Sequence, residues 1–357
     1  MINRIEALKK SLQEKNLDGY VLANGINIQY FTDAVGAACL LVPTEGENVL
    51  YVYAVNYEAA KAEAKHCWVE QMKSHEKIVE KVAKQIENLK LKKLGFDVFD
   101  ASIYLEFKKA FKKTVELKGE SSLVWELRKV KDKEELKRMR KAAELTSKGM
   151  QVAAETVQPG VREYEVAAEV EYTMRRQGSW GTAFDTIVAS GVHSAYPHGG
   201  CTEQKIRKGD LVVVDIGAAY RNYQSDMTRT FVAGKPSVKQ EKIYQIVKEA
   251  QEKAFQSIKA GVKAADVHRV ARRVIKKAGY AEYFVHSLGH GVGMEVHEPP
   301  RLSPESKNVL NAGNMVTVEP GIYIANFGGV RIEDTVLVEE TKAEKLTKGN
   351  YTLKPES

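Results

Sequence analysis

Four acidic residues carry most of the chemistry that can be read from this chain. Residues 209–230 (GDLVVVDIGAAYRNYQSDMTRT) read as a β-hairpin in which Asp215 interrupts the apolar, β-branched run 211–216 and Asp226 opens the second strand, DMTRTFV. Carboxylates are rare inside strands because burying an unpaired charge is costly. Taken alone, Asp226 reads equally well as a turn cap. Asp215, directly behind three valines, does not, and a cation held between carboxylates is the sharper reading.

The arrangement then repeats in residues 313–338 (GNMVTVEPGIYIANFGGVRIEDTVLV). Gly209 precedes Asp215 by six residues, and Gly313 precedes Glu319 by six. Asp226 begins DMTRTFV, and Glu333 begins EDTVLV. The preceding helical stretches repeat too: Gly160-Val161 leads into 166–178 and Gly261-Val262 into 267–279, at a constant offset of 101 residues. One helix–hairpin unit is thus used twice. Two copies are too few for a solenoid, so a closed domain with a pseudo-twofold axis is expected. Such a domain brings Asp215, Asp226, Glu319 and Glu333 together, where they repel unless cations neutralise them. A two-metal site is the expectation.

Five of the eight histidines precede these hairpins. His193 and His198 lie in SGVHSAYPHGG; His286, His290 and His297 lie in VHSLGHGVGMEVHEPPR. Histidines clustered among glycines beside four acids point to function, because glycine lets backbone approach a ligand closely.

The elements that must position these groups divide the chain in two. Residues 1–124 read as an α/β unit: a helix at 4–15, strands at 19–23, 38–42 and 48–53, helices at 57–64 and 76–89, a strand at 94–97, a further helix, and a strand near 114–117. This unit carries no catalytic constellation. A charged helical run from 127 to 143 marks the boundary, and that helix stops at Pro159-Gly160. Residues 125–357 form the second, α+β domain, with a helix at 237–259 between its two copies.

Composition sets limits. The chain of 357 residues is 43% hydrophobic and 28% charged, as in ordinary soluble domains. No apolar run approaches a membrane span, and the first 20 residues lack the apolar core of a signal peptide. Cys39, Cys67 and Cys201 are scattered and odd in number, which fits reduced thiols in a cytoplasm. The net charge is +7, but lysines alternate with glutamates, as in KVKDKEELKRMRKAAE, so nucleic-acid binding is disfavoured.

HSLGHGVGMEVHE, VTVEPGIY, GGVRIEDTVLV and DIGAAYRNYQSDMTRT together resemble the pita-bread metallopeptidases, which include methionine aminopeptidase, aminopeptidase P and prolidase. The N-terminal unit resembles the creatinase-like domain of the prolidase and aminopeptidase P branch, and length and motif details resemble archaeal prolidases most. The resemblance implies that Asp215 is a terminal ligand of one metal, that His290 and Glu319 hold the other, and that Asp226 and Glu333 bridge them. It also makes Glu319 a proton shuttle, His198 and His297 donors to the substrate carbonyl, and Arg331 a brace for the ligands. Arg301 would bind a substrate carboxylate. His193 and His286 are read as structural support and Cys201 as a packing residue. One imidazole among four carboxylates favours Mn²⁺ or Co²⁺, with Fe²⁺ or Zn²⁺ compatible. Two such ions about 3.5–4 Å apart would share a hydroxide and polarise the scissile carbonyl. The implied activity is an Xaa-Pro dipeptidase, with an Xaa-Pro aminopeptidase as the alternative and a non-catalytic binding protein as a remote third. A homodimer is expected, the N-terminal domain supplying much of the contact.

Overall fold

The computed structural model describes residues 3–111 and 114–353 and divides the chain into two compact units, 1–128 and 129–357. The outermost limits expected for the two domains, residues 1 and 357, lie outside the described residues.

In the first unit, Asn3 caps α1 (Arg4–Glu14) by accepting from the Ile5 N–H, and Ile5, Leu8 and Leu12 form its buried stripe. There follow β1 (Gly19–Leu22), α2 (Gly25–Thr32), β2 (Cys39–Pro43), β3 (Val49–Tyr53), α3 (Ala54–Glu63), β4 (Trp68–Met72), α4 (Ile78–Asn88), β5 (Lys93–Phe96), α5 (Ala101–Phe111), β6 (Glu116–Gly119) and α6 (Ser121–Lys129). The strands make one mixed sheet in the order β4-β3-β2-β1-β5-β6. Three elements escape the sequence reading. Helix α6 ends at Lys129 and Asp132 caps a new helix starting at Lys133, so the charged run 127–143 is two helices rather than one. Helix α2 is short and largely buried, so GINIQYFT lacks a polar stripe. Strand β4 is an edge strand whose residues are mostly half-exposed, so WVEQM lacks alternation.

The second unit begins with α7 (Lys133–Thr156), started by a capping box in which Asp132 accepts from the Glu134 and Glu135 N–H groups while Glu135 accepts from the Asp132 N–H. Then come α8 (Glu163–Arg176), β7 (Gly181–Thr182), β8 (Ile187–Ser190), β9 (Leu211–Ile216), β10 (Ala218–Tyr220), β11 (Tyr223–Gln224), β12 (Met227–Val232), α9 (Val238–Gln256), α10 (Ala264–Lys277), β13 (Gly289–Gly291), β14 (Glu298–Leu302), β15 (Met315–Val318), β16 (Gly321–Ile324), β17 (Gly328–Arg331), β18 (Asp334–Val338) and β19 (Ala343–Lys345). The duplication is visible in the packing. Helices α7 and α8 bury Leu145, Met150, Val166 and Val170 against Val212, Val214 and Phe231. Helices α9 and α10 bury Ile243, Val247, Val267 and Ile275 against Val316, Val318 and Val336. The strands form sheets in the orders β12-β9-β8 and β14-β13-β15-β18-β19.

The hairpin expected over 209–230 is more elaborate than its sequence suggests. β9 and β12 do pair antiparallel, with Thr228 opposite Asp215. The turn-like stretch between them, however, folds into β10 and β11, which pair with each other. In the second copy, β15 and β18 pair with Val318 opposite Asp334, and β16 and β17 form their own ribbon between them. No helix among the described residues is long and apolar enough to cross a membrane.

Candidate active site

Strand register places the acids. Asp215 is the fifth residue of β9, with Ile187 of β8 on one side and Thr228 of β12 on the other. Asp226 immediately precedes β12, Glu319 immediately follows β15, and Glu333 immediately precedes β18. The two copies are stitched by reciprocal bonds from threonines two residues beyond each acid. Thr335 Oγ1 donates to the Asp226 carbonyl at 2.8 Å and accepts from its N–H at 3.1 Å. The Glu333 N–H donates to the Thr228 carbonyl at 3.0 Å, and Thr228 Oγ1 donates to Glu333 Oε2 at 2.6 Å. These partners lie more than 100 residues apart, and sequence reasoning missed them; the shared DMT and EDT spacing was the available signal.

All four carboxylates meet His290 in one cleft of about 540 Å³. Its wall also includes His198, His286, His297, Arg301 and Arg331, with Phe184, Ile187, Pro197 and Val296 as apolar surface. Ligand atoms of Asp226, His290 and Glu333 lie within 4.8 Å of one another. His290 Nε2 stands 3.3 Å from Glu319 Oε1 and 3.6 Å from Asp226 Oδ2. Its Nδ1 lies 3.0 Å from the Gly291 carbonyl. A carbonyl only accepts, so Nδ1 carries a proton and Nε2 is the nitrogen offered to the acids.

Three carboxylate oxygens are fully buried without any hydrogen-bond partner: Asp215 Oδ1, Asp226 Oδ1 and Glu333 Oε1. Orphaned buried oxygens are costly, and three facing one cleft are what a cation would satisfy. Burial, followed by the charge of Glu333, Asp215 and Glu319, pushes the Asp226 carboxyl well above its usual range. Burial and the same kind of repulsion from Glu319 and Asp215 push Glu333 up as well. Burial also opposes ionisation of Glu319, but His290, His286 and Arg331 outweigh it and draw its pKa down to about 2. The residues therefore fit a bound cation pair: without one, two of the carboxyls resist ionising.

The surrounding groups hold this set in place. Arg331 is 3% exposed and reaches Asp215 Oδ2 at 2.6 Å, Thr228 Oγ1 at 3.1 Å, the Tyr323 hydroxyl at 2.8 Å and the Pro197 carbonyl at 3.2 Å. Tyr323 also meets His286 Nε2 at 3.1 Å, and burial raises its hydroxyl pKa to about 12. Thr317 Oγ1 donates to Glu319 and accepts from the His290 N–H. Tyr323 and Thr317 were not singled out from sequence, since nothing local marks them. His297 lies edge-on to His290 with ring centroids 4.3 Å apart, and burial together with His290 lowers its pKa. His198, His297 and Arg301 are exposed along the cleft wall. His193 lies behind the wall on Glu163, and the Cys201 thiol donates to the Thr186 carbonyl. A larger cavity of about 730 Å³ near Arg140 and Lys348 gathers none of these groups.

Comparison with known proteins settles the family. The model of metallopeptidase family M24 matches residues 137–340, and that of the creatinase/prolidase N-terminal domain matches residues 4–130. The chain belongs to metallopeptidase family M24. Among M24 relatives, it is 43% identical to the Xaa-Pro dipeptidase of Pyrococcus furiosus over 98% of both chains. The crystal structure of the prolidase from Pyrococcus horikoshii superposes with a TM-score of 0.92 at 40% identity, covering 98% of this chain and 99% of that one. The X-Pro aminopeptidase from Thermotoga maritima superposes with a TM-score of 0.90 at 33% identity, covering 98% and 99%. The M24 assignment agrees with the pita-bread fold and creatinase-like domain expected from the motifs, and it makes the chain a metal-dependent peptidase.

Proposed function

We propose that this M24 peptidase is an Xaa-Pro dipeptidase that works with two divalent cations held by Asp215, Asp226, His290, Glu319 and Glu333. The observation that carries this reading is the trio of buried, partnerless carboxylate oxygens facing the cleft beside His290 Nε2. The oxygen-rich donor set favours Mn²⁺ or Co²⁺, with Fe²⁺ or Zn²⁺ compatible. Bound there, the cations would supply Lewis-acid polarisation and an activated water. Glu319, the most exposed of the four acids, would take a proton from attacking water and pass it to the leaving nitrogen; its exposure and its place beside His290 Nε2 support that role. His198 and His297 line the cleft as donors to the scissile carbonyl oxygen. Arg331 braces Asp215 and leaves its other donors on Thr228 and Tyr323. Asp226 and Glu333 would bridge the cations.

Arg301 makes no hydrogen bond or ion pair among the described residues, and its guanidinium is exposed at the cleft wall. A free fork of this kind suits the carboxylate of a proline-terminated dipeptide. Its exposure also leaves room for the runner-up reading, an aminopeptidase acting on longer Xaa-Pro peptides. Steady-state kinetics of Arg301→Ala separates the two. The dipeptidase reading expects KM for Ala-Pro to rise about 10- to 100-fold, as for a lost charge-assisted pair, with hydrolysis of Ala-Pro-Ala nearly unchanged. Equal losses on both substrates would end it. The homodimer and a reducing, cytoplasmic setting belong to the same reading; exposed Val35, Val55 and Trp68 support the first, and three free thiols support the second.

A further inference from the structure

His198 has an uncommon kind of support. Its ring is exposed in the cleft and makes no hydrogen bond among the described residues, so the backbone sets the position and direction of the bond from which the ring swings. The carbonyls on either side of it are both gripped. The Pro197 carbonyl accepts from Arg331 Nη1 at 3.2 Å, and the Gly199 carbonyl lies 3.1 Å from His193 Nε2. Arg331 is tied to the acids already described. His193 is tied to something else.

That tether is Glu163, the first residue of α8, whose side chain is fully buried. Its Oε1 accepts from the Ser190 N–H and Oγ, both at 2.7 Å. Its Oε2 accepts from the Thr202 N–H at 2.9 Å and from Thr202 Oγ1 at 2.5 Å. Neither hydroxyl is free to turn away. Gln204 Nε2 donates to Ser190 Oγ and the Gln204 N–H donates to Thr202 Oγ1, so each hydroxyl proton points to the carboxylate. Burial opposes the charge, but these bonds outweigh it and hold Glu163 below the usual carboxylate range. His193 Nδ1 sits 3.1 Å from both of its oxygens. An ionised carboxylate accepts only, and so does the Gly199 carbonyl, so each ring nitrogen must donate. Asp210, packed against Gly191, is a second acid near this turn. At Gly199 a Cβ would come within 2.6 Å of His193 Nε2, so only glycine leaves room for this approach.

We propose that Glu163 and His193 are positioning residues for catalysis: a His193 imidazolium, fixed by the Glu163 carboxylate, grips the Gly199 carbonyl and so sets the His198 ring in the cleft. The substrate gains an oxyanion donor whose direction is set from outside the metal-ligand network. This rests on the reading of His198 as that donor.

Two measurements test it. In ¹⁵N-histidine-labelled protein of full length, assigned with His193→Gln, both ring nitrogens of His193 carry protons at neutral pH, and Glu163→Gln removes one of them. A neutral His193 ring would overturn the proposal whatever the kinetics. In a double-mutant cycle on the metal-loaded enzyme, His193→Ala lowers kcat about 10- to 100-fold with KM and metal content little changed. The His193→Ala/His198→Ala pair is then no slower than His198→Ala alone. Multiplying losses overturn the positioning role and leave the His198 reading standing. An unchanged kcat for His198→Ala removes both, the reading first. Should His193→Ala fail to fold, Glu163→Gln takes its place in the cycle, with the same expectation of a kcat lowered about 10- to 100-fold and no further loss when His198→Ala is added.

Discussion

Asp226 and Glu333 are 5% and 1% exposed, and each keeps one oxygen without a protein partner. Burial first, then neighbouring acids, raise both carboxyls: Glu333, Asp215 and Glu319 act on Asp226, and Glu319 and Asp215 on Glu333, so the metal-free protein carries an electrostatic load that cations would relieve. Asp226→Asn is expected to abolish turnover, to lose bound metal measured by elemental analysis, and to make the metal-free protein more stable to heat, because a repelling charge is gone. Retention of two ions and full turnover would refute the bridging role. Glu163 shows the opposite sign. Its folded-state pKa lies below the unfolded value, so its stabilisation is complete above the unfolded value and fades as pH falls through the folded one. Glu163→Gln is expected to flatten the acid limb of stability against pH, measured by denaturant unfolding between about pH 5 and 2. An unchanged limb would show that other carboxyls govern acid unfolding.

At the scale of elements, β13 is a three-residue strand, Gly-His-Gly, that holds His290 between its neighbours. A Cβ at Gly289 would stand 2.0 Å from the Thr317 carbonyl oxygen, and one at Gly291 would stand 2.3 Å from that of Pro299. Both obstacles are backbone and cannot rotate away. Gly289→Ala or Gly291→Ala is expected to lower stability by about 1–3 kcal/mol through forced strand displacement. Metal content should fall with it, and thermal unfolding with metal analysis reads both; normal values for both would show that β13 yields easily. The motif LGHGVG was legible as functional because its glycines flank a histidine. So were the paired acids, whose type and spacing recur in two copies. The ribbons β10–β11 and β16–β17 were not legible, since short strands in Asn- and Gly-rich stretches look like turns. Nor were Thr228, Tyr323 or the Glu163–His193 pair as working parts. Their partners are remote in sequence, and hydrogen bonds across folded halves leave no local period.

At the scale of the whole molecule, the N-terminal unit carries no ligating cluster among its described residues, yet leaves Val35, Val55 and Trp68 more than half exposed. The homodimer proposed above can be tested at these positions. Light scattering at working concentration is expected to give twice the mass of one chain, and Val55→Asp or Trp68→Glu to shift it toward a single chain. A fully active monomer in the unaltered protein would overturn the dimer.

The stitching of the two copies has a consequence for how the protein is made. Asp215 waits for an arginine 116 residues further on, Thr228 for a glutamate 105 residues on, and Asp226 for a threonine 109 residues on. At roughly 5–20 residues per second of synthesis, on the order of 5–20 s separates the emergence of the first half-site from the second. Until His290 and Glu319 emerge, the nascent chain holds two of the acids without the ligands that complete them. A peptidase built this way has no cutting edge while it is still an unfolded, cleavable chain on the ribosome. Its activity switches on in one late step, when the last strands arrive.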